Sequence, residues 1–152
     1  PPAGGGLMAV ARTLAIALHG VDGALVEIEA DLANGLPAFT IIGLPDAALG
    51  EAKDRVRSAA VNSGCDLPPR KVTVNLSPAS LPKHGSGFDL GIAVAALATT
   101  GVIESAAIDR VVHVGELSLD GRLRPVAGVL PSVLAARRAG AVAVVVPSGN
   151  AD

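Results

Sequence analysis

Lys83, His84, Ser86 and Asp89 fall within one short stretch, LPKHGSGFDLGIAVAAL, residues 81–97. A glycine-flanked Ser86 with Lys83 three positions before it has the residue types of a Ser-Lys dyad. Such a dyad needs a desolvated lysine, whose lowered pKa lets it take the serine proton. A lysine this close in a glycine loop is expected to stay solvated. Glycines making a tight turn into a helix account for the same residues without chemistry.

A phosphate cradle is the other chemistry the glycines raise. A P-loop needs G-x-x-x-x-G-K-[ST], so that amides hold the phosphates while Lys and the hydroxyl reach the terminal phosphate and magnesium. GSGFDLG has Gly85, Gly87 and Gly91 with no Lys-Ser/Thr behind them, and GLPDAALGEAK has six residues between its glycines. G-x-G-x-x-G fails at Leu90. His19, His84, His113 and Cys65 lack metal-ligand spacing and read as a turn, a loop, a strand and a core residue.

The elements that must hold this loop follow from periodicity. TLAIALHG and ALVEIEADL read as strands joined by the HGVDG turn, with Leu25, Glu27, Glu29 and Asp31 opposing Val26, Ile28, Ala30 and Leu32. AFTIIGL is a third strand. PDAALGEAKDRVRSAAVNSG is a helix with an apolar stripe of Ala48, Ala52, Val56, Ala59 and Ala60; Glu51, Asp54, Arg55 and Ser58 are expected to face away. RKVTVNL is a fourth strand, and Leu90–Thr100 a buried helix after the loop. DRVVHVGELSLDGRLRPV gives a strand and then a hairpin tipped by Asp120-Gly121. GVLPSVLAARRAG is a last helix, and AVAVVVP is expected to be a fully buried strand. The class is α/β (α+β) with a mixed sheet.

The chain of 152 residues suits one domain, and half of it is hydrophobic with only two aromatics, Phe39 and Phe88. A net charge of −2 provides no global field for nucleic acid or membrane, so any such contact must be local. One cysteine forms no internal disulfide, as suits a cytoplasmic protein. The longest apolar run, Leu90–Ile103, is too short for a membrane span. Residues 1–7 lack the basic start and apolar centre of a signal peptide and read as a tag remnant before Met8.

Three long segments now carry a resemblance: GLPDAALGEAKDRVRSAAVNSG, VTVNLSPASLPKHGSGFDLGIAVAAL and VGELSLDGRLRPVAGVLPSVLAARRAG. Together they resemble the N-terminal domain of the YifB/ComM family, bacterial magnesium-chelatase-like AAA+ ATPases. The likeness runs from about Met8 to Asp152, which reads as one domain, 8–152, of a larger AAA+ protein. It implies the fold of the second domain of ribosomal protein S five, shared with the Lon protease domain. Lon has its nucleophilic serine two residues before the Gly-Ile that opens a helix; here Gly91-Ile92 put Asp89 there. Its lysine lies four residues after the last glycine of a P-x-G-G turn; here Gly128 puts Ser132 there. Lys83 is the last lysine of the chain, so nothing downstream supplies the base. Lys83, His84, Asp89 and Ser132 thus mark a degenerate Lon-type site, and no peptidase activity is expected.

The resemblance further implies ATP-driven, helicase-like work on DNA during recombination of incoming DNA. ATP and magnesium then belong to a following Walker-type module, with no cofactor in this domain. That module is the expected partner, in an oligomer, with DNA as a possible one. A DNA-contact role would draw on Lys53, Arg55 and Arg57 of the first helix, Arg70 and Lys71 at a strand start, and Arg137 and Arg138 of the last helix. The alternatives are a structural module that positions the ATPase ring and, far less favoured by the residues, a degenerate hydrolase.

Overall fold

The computed structural model describes residues 8–150; the segment read as a tag remnant lies outside them. Strands β1 (Met8–His19) and β2 (Asp22–Ala33) form a long antiparallel hairpin. Both are longer than the apolar runs suggest, because the ladder is unbroken from Met8 opposite Ala33 to His19 opposite Asp22. After them come β3 (Ala38–Ile42), α1 (Asp46–Asn62), β4 (Lys71–Ser77) and α2 (Asp89–Ala98). The chain continues through β5 (Val111–His113), β6 (Glu116–Leu117), β7 (Leu123–Arg124), α3 (Val129–Arg138) and β8 (Ala143–Val145). The main sheet runs β3-β4-β2-β1-β5-β8, antiparallel at its centre and parallel on both flanks. The β6-β7 hairpin stands apart, with Asp120-Gly121 in its turn as expected. The mixed α/β class therefore holds.

Strand alternation assigns the two faces. Ala15, Ala17, Val26, Ile28 and Ala30 turn to one face, where Ala52, Val56 and Ala59 of α1 and Ile92, Ala95 and Ala96 of α2 complete the main core. With so few aromatics, small residues let the helices come close. A Cβ on Gly91 of α2 would sit only 2.6 Å from Ile28 Cδ1, so glycine sets that approach. Leu14, Ile16 and Leu25 turn to the other face, where Ala135 and Ala136 of α3 cover them. Farther along that face Arg12, Glu27 and Lys71 are exposed.

Two expectations are corrected here. β8 is the edge of the sheet rather than a fully buried strand: Ala143 and Val145 are exposed, and Val144 alone of the three packs into the α3 cluster. An apolar run reads the same whether one face is covered or two. Cys65 is half-buried in the turn after α1 rather than in the core, its amide donating to the Ala60 carbonyl at 2.9 Å.

A buried polar pair joins β1 to β5. Thr13 Oγ1 lies 2.8 Å from the Ile108 carbonyl and 3.0 Å from that of Val111, so its one proton goes to a carbonyl. His113 Nδ1, 3.0 Å away, is then assigned as the protonated nitrogen donating to Thr13. Burial pushes the imidazole pKa down, partly countered by the Val111 carbonyl. The unfolded chain, with histidine near about 6.5, therefore takes up the proton first as pH falls. Stability is expected to be full above roughly pH 6.5 and to fall below it, by at most about 1.4 kcal/mol per pH unit. Melts at pH 7.5 and pH 5.5 should show this loss shrinking in His113→Asn; an equal loss in both proteins would refute it.

Candidate functional site

The loop from β4 to α2 is held from within. Lys83 is only 2% exposed, against the expectation of a solvated side chain. Its Nζ donates to the carbonyls of Pro78 at 2.7 Å and Leu81 at 3.0 Å, closing the loop on itself. Burial pushes its pKa down, but both of its acceptors are backbone carbonyls and neither is a serine. The lysine staples the turn.

Asp89 opens α2 and is 1% exposed. Arg55 donates to it from Nε at 2.6 Å and from a terminal nitrogen at 3.1 Å, and the Leu117 amide donates at 3.1 Å. Helical spacing places Arg55 on the solvent face of α1; its side chain is instead 20% exposed and turned inward, keeping only a loose 3.6 Å contact with Glu51. The bond to Asp89 pushes the guanidinium pKa up. Burial pushes the Asp89 carboxyl up, opposed by Arg55 and the Leu117 amide. This position ties α1, α2 and β6 together and does not open into a cleft.

Beside it lies a cleft of about 490 Å³. Ile16, Leu18, Val114 and Val126 give it aliphatic walls, and His84, Ser86, Glu116 and Ser132 supply polar groups. Ser86 Oγ donates to Glu116 Oε1. Ser132, in the first turn of α3, donates to the Gly128 carbonyl at 2.8 Å. The His84 ring meets that of His19 edge-on at 6.4 Å. Of the four positions of the degenerate Lon-type site, His84 and Ser132 line the cleft, whereas Lys83 and Asp89 do not. Sequence reasoning misses Glu116, because a glutamate opening a hairpin reads as solvated. Among the described residues no Lys or His hydrogen-bonds Ser86, whose hydroxyl donates to Glu116 instead. The arrangement holds groups in place and lacks an activated nucleophile.

The basic candidates do not gather in one place. Arg57 and Arg70 line a second cleft of about 320 Å³ with Asp66, where the far half of α1 meets the starts of β3 and β4. The Arg57 guanidinium lies 5.8 Å from the centre of the buried Phe39 ring, and Arg70 donates to Asn34 Oδ1 at 2.9 Å. Lys71 is exposed next in sequence, and Lys53 is half-buried on α1. Arg137 and Arg138 are exposed at the end of α3, on the opposite face of the sheet. Arg55 is occupied by Asp89.

Residues 28–150 match the family described as subunit ChlI of Mg-chelatase. The chain is 51% identical over 143 residues to an uncharacterized protein of Mycobacterium tuberculosis, covering 94% of this chain and 28% of that one. It is 45% identical over 131 residues to competence protein ComM of Haemophilus influenzae, covering 86% and 26%. A Lon protease of Mycolicibacterium smegmatis is 29% identical over 143 residues, covering 89% and 18%. The chain thus spans only about a quarter of the length of the first two of these relatives.

Proposed function

Because the chain belongs to the family described as subunit ChlI of Mg-chelatase and has a ComM protein among its relatives, we propose that it is a non-catalytic Lon-like domain that contacts DNA within a larger AAA+ ATPase. ATP-driven, helicase-like work would belong to a module outside this chain, in a cytoplasmic oligomer. The residues present do not fit the magnesium and nucleotide of that module. Among those described no group of three or more His, Cys, Asp or Glu could hold a metal ion. The Gly85–Gly91 loop also lacks the Lys-Ser/Thr that a P-loop needs behind its last glycine.

The observation that carries the DNA reading is Arg57 and Arg70 lining one cleft. Phosphate contacts need such side chains and little else, and they make binding salt-dependent. Fluorescence anisotropy with a labelled oligonucleotide, titrated with salt, tests this. Arg57→Ala with Arg70→Ala is expected to weaken binding severalfold and to reduce the salt slope by roughly one for each phosphate no longer neutralised. Arg137→Ala with Arg138→Ala should cost less. No binding by the wild-type chain at low salt would sink the reading.

One observation favours the alternative of an assembly module. Leu130 and Leu134, four apart on α3, are 68% and 44% exposed. Light scattering of wild type against Leu130→Ser with Leu134→Ser separates the readings: self-association abolished in the variant, with no DNA binding, supports assembly.

A further inference from the structure

The cleft beside the β4–α2 loop retains a built interior, although of the Lon-type positions Lys83 and Asp89 do not line it. Among the described residues Glu116 is its only acidic lining group, and its side chain is 31% exposed. The carboxylate is fixed by the Ser86 hydroxyl on Oε1. Its other oxygen faces Arg124 Nε at 3.7 Å, beyond hydrogen-bonding distance, and the Arg124 side chain is 63% exposed. Ile16, Leu18, Val114 and Val126 add aliphatic surface to the cleft, which His84, Ser86 and Ser132 line as well.

Three of the amides at the helix starts that border the cleft are already engaged. The Asp89 amide is taken by the Ser86 carbonyl, that of Leu90 by Gly115, and that of Ser132 by Gly128. We propose that this cleft binds an aliphatic ammonium group, its stem on the aliphatic walls and its head on the Glu116 carboxylate. A lysine side chain of a peptide and a free polyamine share that chemistry. A fixed carboxylate in a cleft with aliphatic walls suits either, because the stem is buried while the charge finds a positioned partner. The inference does not depend on DNA contact.

Amide NMR titration of the isotope-labelled chain tests it, with three probes: blocked lysine, putrescine, and blocked norleucine, which has an aliphatic stem without the charge. Blocked lysine is expected to give saturable shifts at Ser86, Gly87, Glu116 and Val126, and norleucine to bind at least tenfold more weakly. Putrescine binding as tightly as lysine supports a free amine as the source; lysine binding more tightly supports a peptide. Glu116→Gln should weaken lysine binding at least tenfold. Arg124→Ala, at an exposed position, should tighten it severalfold by removing a competing cation. Absent shifts, equal binding of norleucine, or unchanged affinity in Arg124→Ala would overturn the proposal.

Discussion

Asp89→Ala is expected to destabilise the fold by about 3–5 kcal/mol, because it leaves the largely buried Arg55 guanidinium without its counter-charge. The Leu117 amide loses its acceptor in the same step. For a chain of this length that loss lowers Tm by on the order of 10 °C. Arg55→Ala should cost a comparable amount by stranding the carboxylate. The pair Arg55→Met with Asp89→Leu should recover most of either loss, since apolar residues of similar volume often replace a buried ion pair without penalty. Urea unfolding of the four proteins compares these losses. A loss below about 1 kcal/mol in Asp89→Ala would mean that water or a local shift satisfies Arg55, contrary to the geometry.

The same pair marks the limit of what the sequence could tell. The apolar stripe of α1 is legible, because Ala52, Val56, Ala59 and Ala60 repeat at helical spacing and are all buried. Arg55 sits beside that stripe, and its spacing from Glu51 favours a solvated ion pair. Its stronger partner is 34 residues away and enters only through tertiary packing. Lys83 misleads for a related reason: two carbonyls of its own loop compensate its burial, and no side-chain pattern announces them. The β2 alternation predicts its faces correctly, with Val26, Ile28, Ala30 and Leu32 buried, since one period fixes every side chain of a strand. The cleft is half legible. Its loop and Ser132 follow from motif likeness, whereas Glu116 is aimed by a hairpin whose packing the local sequence does not specify.

Gly43→Ala is the other substitution expected to cost most, on the order of 4 kcal/mol, from backbone strain and overpacking together. Gly43 follows β3 and turns the chain toward α1 at φ +104°, a conformation that costs other residues about 1–3 kcal/mol. A Cβ there would also lie 2.2 Å from the Leu76 carbonyl oxygen, far inside contact distance. Leu76 cannot yield cheaply: it is fully buried on β4 and paired with Ile28 of β2 in the central ladder. Either the corner opens and α1 lifts from the sheet, or the ladder distorts. Gly50→Ala within α1 is the control, since an added Cβ meets nothing within 4 Å and glycine is a poor helix former. That variant should gain about 0.5–1 kcal/mol. Thermal melts of the two side by side test the difference, and a Gly43→Ala protein within about 1 kcal/mol of wild type would show that the corner relaxes freely, which the buried Leu76 carbonyl argues against.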